Sequence, residues 1–143
     1  MKIKILRKNG CAILAALCLI GLCLPFVDVY NGTESSMYSN VQNAKDFEVD
    51  YECMKYLDKY PKGEYAEEVS NILLSKMKKD GDIKRTYKFG VRYTSLEVGK
   101  KLKELSYRMA EIKNDYYSWS QYIEVCEIED IRDAQERLNK CTN

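Results

Sequence analysis

"YECMKYLDKYPKGEYAEEVSNILL", residues 51–74, contains two amphipathic helical patterns separated by a short break. Before the break, apolar residues recur every three or four positions, at Phe47, Tyr51, Met54 and Leu57. After it, a second stripe comprises Tyr65, Val69, Ile72, Leu73 and Met77. Between them Pro61 disfavours the α conformation at Tyr60, and Gly63 tolerates a turn. The segment therefore predicts an αα-hairpin, with helices at about 41–59 and 64–79.

The helical pattern returns in the last third of the chain. One stripe comprises Leu96, Gly99, Leu102, Leu105, Met109 and Ile112, and the next comprises Tyr116, Trp119, Tyr122, Ile123 and Cys126. A break at residues 127–130 precedes a final helix with Ile131, Ala134 and Leu138 on one face. From these stripes and those of the first hairpin, the predicted core of an all-α protein comprises Phe47, Tyr51, Met54, Leu57, Tyr65, Val69, Leu73, Leu102, Leu105, Met109, Trp119, Tyr122, Ile123, Ala134 and Leu138.

Residues 82–95 give an ambiguous signal. Tyr87, Phe89, Val91 and Tyr93 alternate with polar residues or glycine, which is a strand pattern. A single strand would have no partner here, and Phe89 and Tyr93 also share a helix face. We therefore favour a helix or an irregular connector. The mixture of aromatic and basic residues also allows a binding patch, although packing beneath a neighbouring helix is the commoner use of such aromatics.

Composition narrows the function. The chain of 143 residues suits one domain, and its net charge of +1 argues against a general nucleic-acid binder. It contains no histidine, the commonest general base and metal ligand. Outside the N-terminal run only Cys53, Cys126 and Cys141 remain, without a CxxC pair. We predict no cofactor, no metal and no enzymatic activity, with the pairing of these three cysteines left open.

The N-terminus resembles an export signal. Lys2, Lys4, Arg7 and Lys8 precede an uncharged apolar run at residues 11–27, whose seventeen residues are close to the length of a membrane span. We favour an uncleaved anchor over residues 1–29, in the inner membrane, with the remaining chain in the periplasm. A cleaved signal peptide and a lipoprotein remain alternatives. Residues 30–40 are predicted to be a flexible tether, 41–140 a helical-repeat domain and 141–143 a tail.

The two ends of this domain share a layout. A shift of 66 residues places Tyr56 on Tyr122 and Leu57 on Ile123; one further gap places Val69 on Ala134 and Leu73 on Leu138. "YLDKYPKGEYAEEVSNIL" resembles a segment of tetratricopeptide-like proteins of the bacterial envelope, such as Tol-Pal-associated periplasmic proteins and outer-membrane assembly lipoproteins. "WSQYIEVCEIEDIRDAQERL" resembles a second unit, of the kind found in Bacteroidetes. The resemblance implies two tetratricopeptide-like hairpins joined by a helical segment.

Three hypotheses about function follow. The first is an interaction module that docks a protein or peptide on the helix surface not used for stacking. The second is a structural subunit of a cell-envelope assembly. The third is an enzyme using carboxylate pairs such as Asp46/Asp50 or Glu127/Asp130, which are better explained as solvated charges. Residues 76–104 carry ten basic and four acidic residues, and residues 111–137 carry eight acidic and three basic, which leaves a charged docking surface as one possibility. The oligomeric state is open.

Overall fold

The computed structural model describes residues 32–142, and all regular secondary structure within that range is α-helical. The prediction of an all-α fold is therefore confirmed. The helices are α1 Glu34–Asn43, α2 Val49–Lys59, α3 Ala66–Asp80, α4 Ile83–Arg92, α5 Glu97–Lys113, α6 Tyr116–Ile123 and α7 Ile128–Cys141.

Consecutive helices pack in pairs. Helix α2 contacts α3, α4 contacts α5, and α6 contacts α7, while α1 packs on α2. Neighbouring pairs are joined through contacts of α3 with α5 and of α4 and α5 with α6. Residues 83–92, the ambiguous segment, form a helix rather than a strand. This helix belongs to a middle pair, so the described residues contain three helix pairs where the sequence predicted two and a connector.

The core runs along this stack as two adjoining clusters. The first joins α1, α2 and α3 to Tyr93, Val98 and Leu102. The second joins Ile83 and Tyr87 of α4 to side chains of α5, α6 and α7, with Trp119 at 0% exposure. Leu105 packs against both clusters. Because each cluster draws side chains from more than one helix pair, the described helices form one continuous packed body.

The structure distributes the predicted core residues over three environments. The buried ones are Leu57, Val69, Leu73, Leu102, Met109, Trp119, Tyr122 and Ala134. Half-buried side chains that pack against a cluster are Met54, Tyr65, Leu105, Ile123 and Leu138. The prediction was wrong for Phe47, which is 73% exposed, and for Tyr51, which is 59% exposed.

The error at these two residues has a structural cause. Helix α2 begins at Val49, so Phe47 lies in the turn that precedes it. The buried face of α2 is defined by Cys53, Tyr56 and Leu57, which is displaced around the helix from the stripe predicted from sequence. Tyr51 therefore points away from the core.

Residues 34–40 are helical, and the prediction of a flexible tether over residues 30–40 was wrong for them. Thr33 caps α1 by accepting a hydrogen bond from the Ser36 backbone N–H at 3.2 Å. Met37 and Val41 of α1 are buried in the first cluster. The helical domain consequently begins at Thr33, before the predicted residue 41.

The turn between α2 and α3 contains the predicted Pro61 and Gly63. The Tyr56 hydroxyl donates to the Glu34 carboxylate and accepts from the Tyr65 backbone N–H at 3.1 Å. A Cβ at Gly63 would lie 2.8 Å from this hydroxyl and closer still to Glu34. A side chain at this position would therefore displace the Glu34 carboxylate from its contact with Tyr56.

None of the helices within residues 32–142 combines the length and apolar character needed to cross a bilayer. The apolar run predicted to enter the membrane, at residues 11–27, lies outside the described residues.

Carboxylates that are stabilised in their charged form should make folding sensitive to acid. Asp115 caps α6 by accepting from the Ser118 N–H at 2.7 Å, and this bond holds the pKa of Asp115 below its usual value. A hydrogen bond from Tyr107 similarly lowers the pKa of Asp133. Folding lowers both pKa values, so the charged carboxylates stabilise the folded state at any pH above about 4, the pKa of aspartate in the unfolded chain. This stabilisation is lost as the pH falls through the lower pKa values of the folded state.

We therefore expect the urea midpoint to change little from pH 7 to pH 5 and to fall below about pH 4. Asp115→Asn keeps a capping oxygen but removes the titrating group, so this variant should lose less stability between pH 7 and pH 3 than the unchanged protein. Equal losses in both proteins would show that the Asp115 cap does not contribute to acid sensitivity.

Candidate binding groove

Helix α4 has one face in the core and one face in solvent. Ile83, Thr86, Tyr87 and Gly90 form the buried face. Asp82 caps the helix by accepting from the Arg85 N–H at 2.9 Å, and the Ser106 hydroxyl donates to the Ile83 carbonyl at 2.9 Å. The bond from Ser106 fixes the start of α4 against α5 and so sets which face of α4 points outward.

Two glycines bring α4 and α5 close together. A Cβ at Gly90 would lie 2.9 Å from the Gly99 carbonyl oxygen, and a Cβ at Gly99 would overlap the backbone of Tyr93. The two backbones can be this close only because neither position carries a side chain. Helix α4 is therefore held tightly against α5 while its outer face stays open.

This outer face is the floor of a groove with a volume of about 710 Å³. The groove is lined by Asp82, Lys84, Arg85, Lys88, Phe89, Val91 and Arg92, together with Gln121 of α6. We call this surface the α4 groove. Its floor is mostly basic and apolar.

Ion pairs connect the floor to the helices on either side. Toward α2, Arg85 pairs with Asp50 and Arg92 pairs with Asp58. Toward α6, Lys84 pairs with Glu124. These pairs place α2 on one side of the α4 groove and α6 on the other. They also neutralise three of the four cations on the groove floor.

Lys88 is the fourth cation of the floor. It lies one helical turn after Lys84 and one turn before Arg92, and it is exposed. Among residues 32–142 it has no ion pair. Lys88 thus presents a charge in the middle of the α4 groove that can pair with an incoming anionic group.

An aromatic and an aliphatic side chain line the groove floor together with this lysine. Phe89 is half-buried, with the Arg85 guanidinium 5.7 Å from its ring centre, and Val91 is 48% exposed. On α2, Tyr51 lies on the same helix face as Asp58, and on α6, Tyr117 precedes Gln121 by one turn. Both tyrosines are exposed. The α4 groove therefore offers a central positive charge between apolar contacts, which suits a peptide with an acidic and an apolar side chain.

Three of the four carboxylates considered as acid–base pairs have other partners. Asp46 accepts from Lys79 at 2.8 Å and from Lys76 at 3.2 Å, and the bond from Lys79 is the main cause of its lowered pKa. Asp50 is paired with Arg85, and Glu127 is paired with Lys103. These contacts join separate helices, so the carboxylates contribute to the packing of the helix stack.

The three cysteines of the described residues are free thiols in separate places. Cys53 is buried in the first cluster, and this burial raises its pKa to about 12, which keeps the thiol protonated. Cys126 precedes α7 and Cys141 ends it, so about 20 Å of helix separates them, far beyond disulfide reach. Residues 32–142 also contain no group of three or more Cys, Asp or Glu arranged to hold a metal ion.

Comparison of the chain with protein-family models, with curated protein sequences and with solved structures finds no match. The functional proposal below therefore rests on the geometry of the α4 groove and on the sequence.

Proposed function

We propose that this chain is a membrane-anchored, periplasmic helical-repeat protein of the tetratricopeptide-like type that docks a protein or peptide partner in the α4 groove. The observation that carries the proposal is that the two faces of α4 have different roles. One face of this helix packs in the core, while the other lines the groove with Lys88, Val91 and the half-buried Phe89.

The arrangement of the helices supports the repeat assignment. The hairpin segment "YLDKYPKGEYAEEV" covers the end of α2, the turn and the start of α3. Its equivalents under the internal repeat lie in α6 and α7. Tyr56 and Tyr122 are 0% and 2% exposed, and Val69 and Ala134 are both 0% exposed. Equivalent positions of the first and third helix pairs thus have equivalent roles in the core.

The chemistry of the groove supports a peptide partner. Peptide grooves in helical proteins combine apolar contacts with a few charged groups that fix orientation. In the α4 groove, Phe89 and Val91 provide the apolar contacts and Lys88 the unpaired charge. A partner segment with an acidic side chain next to an apolar one would satisfy both. Anchoring by residues 11–27 would hold this groove at the periplasmic side of the inner membrane.

The experiment is an affinity purification of the tagged, full-length protein from native membranes. We expect a defined partner to be recovered with the unchanged protein. Lys88→Glu reverses the free charge of the groove and should weaken recovery about tenfold, equivalent to about 1.4 kcal/mol. Lys100→Glu is the matched control, because Lys100 is an exposed lysine of α5 that does not line the groove.

The control variant should recover the partner as well as the unchanged protein does. If Lys88→Glu also recovers it undiminished, the α4 groove is not the docking site. A complex of fixed stoichiometry that tolerates both substitutions would favour the structural-subunit hypothesis.

A further inference from the structure

The chain itself presents a segment of the kind that the α4 groove suits, at the start of α7. Ile128 is the first residue of this helix and is 87% exposed, the highest value among the exposed large apolar side chains of residues 32–142. Two exposed carboxylates follow it directly, Glu129 and Asp130. We call residues 128–130 the α7 tip. It combines an apolar side chain with acidic ones, as the groove requires.

The two carboxylates of the α7 tip are free. Neither Glu129 nor Asp130 has an ion pair or a side-chain hydrogen bond with any residue of 32–142. The carboxylates adjacent to the other exposed apolar residues all have such a partner; they are Asp46, Glu48, Asp50, Glu52, Glu111 and Asp115. Among the described residues, the α7 tip is therefore the one exposed apolar site with carboxylates available to a new partner.

The α7 tip and the α4 groove have opposite charge. Lys88 is the cation of the groove floor that has no ion pair within residues 32–142. The tip carries two negative charges, which outnumber the one positive charge of the exposed Arg132, a turn further along α7. The same contrast extends over the flanking sequence, which is mainly basic in residues 76–104 and mainly acidic in residues 111–137. Opposite charges favour association of the two surfaces.

The tip of one molecule does not fill the groove of the same molecule. The Glu127 N–H, just before the tip, donates to the Tyr87 hydroxyl at 2.9 Å, and the Glu127 carboxylate pairs with Lys103 of α5. Tyr87 belongs to the buried face of α4, whereas Lys88 lines the outer face. The tip is therefore held on the buried side of α4 with Ile128 in solvent. A tip that enters the groove must belong to a second molecule.

We infer that the partner of the α4 groove is a second copy of this chain, whose α7 tip places Ile128 against Phe89 and Val91 and Glu129 against Lys88. This inference rests on the docking proposed above and names the docked segment. The contact joins two different surfaces of the molecule. Unless two copies dock reciprocally, each bound copy still offers a free tip or a free groove to a further copy.

The test uses two full-length copies with different epitope tags, expressed together and extracted from native membranes in mild detergent. Recovery of the second tag with the first measures self-association. Lys88→Glu in both copies, or Glu129→Lys in both copies, brings like charges together and should lower recovery about tenfold or more. One copy with Lys88→Glu and the other with Glu129→Lys should associate normally, because each groove then meets a tip of opposite charge.

Two further variants separate loss of the contact from loss of the fold. Ile128→Ala in both copies removes the apolar part of the tip and should also lower recovery about tenfold. Its thermal unfolding, followed by circular dichroism, should be unchanged because Ile128 is exposed. Lys100→Glu in both copies is the matched charge control, since Lys100 is exposed and lies outside both surfaces; it should leave recovery unchanged.

The possible results distinguish this inference from the docking proposal. Self-association that tolerates the substitutions at positions 88, 128 and 129 would overturn the inference, as would a mixed pair of folded charge variants that fails to associate. If a different protein is recovered and is lost with Lys88→Glu, while the second tag is not recovered, the second copy is wrong as the partner and docking in the α4 groove stands. If no protein is recovered with the unchanged chain, both are wrong.

Discussion

Trp119→Ala is expected to lower the free energy of unfolding by roughly 3–5 kcal/mol, as typical for removal of a large buried aromatic ring. Trp119 is 0% exposed and packs edge-to-face against Tyr107 and Tyr122, with ring centres 5.5 and 6.3 Å away. Its indole N–H donates to Asn114 Oδ1 at 3.2 Å. Alanine would leave a cavity among α5, α6 and α7 and remove this hydrogen bond. Such a loss is a large part of the 5–15 kcal/mol typical of whole domains.

Urea denaturation followed by circular dichroism measures this effect. A fragment that starts at Tyr30 is suitable because it keeps the Gly32 and Thr33 contacts of α1. Tyr117→Ala is the matched control on the same helix, since Tyr117 is 70% exposed, and it should change stability by less than about 0.5 kcal/mol. The unsubstituted fragment should show blue-shifted tryptophan emission that moves to the red on unfolding. A solvated emission spectrum and an unchanged midpoint for Trp119→Ala would contradict the packing described for this residue.

Gly99→Ala should destabilise the protein, against the usual trend for helices. An alanine in place of glycine inside a helix ordinarily stabilises it by about 0.5–1 kcal/mol. At Gly99, however, the added Cβ would overlap the backbone of Tyr93 and lie 2.8 Å from the Gly90 carbonyl oxygen. Since backbone atoms cannot rotate aside, α4 and α5 must separate. We expect a cost of roughly 1–3 kcal/mol, the usual range for overpacking.

The same urea measurement tests this expectation. Lys100→Ala is the control, because Lys100 is the next residue of α5 and is exposed. That variant should be neutral within about 0.5 kcal/mol. If Gly99→Ala were as stable as the unchanged fragment or more so, the close approach of α4 to α5 would be wrong, and with it the placement of the groove floor.

The sequence pattern predicted α3 well because the buried residues of this helix all face a single core cluster. Val69, Leu73 and Met77 recur at helical spacing and all face the first cluster. Lys78 and Lys79 precede Gly81, which adopts the left-handed conformation with φ of 67°. The helix end, the glycine cap and the buried stripe therefore all indicate the same helix, so the local sequence preferences agree with the tertiary packing.

The same reasoning failed at Phe47 and Tyr51, and it was ambiguous over residues 82–95, for a shared reason. These segments carry apolar residues that stay partly or largely exposed. Tyr87 of α4 and Tyr93, which follows the helix, are buried, whereas Phe89 and Val91 line the groove. Their alternation in the sequence therefore resembled a strand. Exposed apolar residues break the periodicity on which helix prediction relies, and such breaks are expected at functional surfaces.

Lys88 could not be identified from the sequence alone. It is one of ten basic residues between positions 76 and 104, and the sequence does not show which of them are paired. Only the positions of Asp50, Asp58 and Glu124 on neighbouring helices reveal that the cations around Lys88 are engaged.

The most direct test of the α4 groove as the docking site is photo-crosslinking in intact cells. The full chain would carry p-benzoylphenylalanine in place of Val91, on the groove floor, or in place of Lys78, an exposed residue of α3 outside the groove. We predict a discrete crosslinked protein from position 91 that disappears when Lys88→Glu is added, and no such product from position 78. A product from position 78 with none from position 91 would contradict the proposal, as would a product from position 91 that is unaffected by Lys88→Glu.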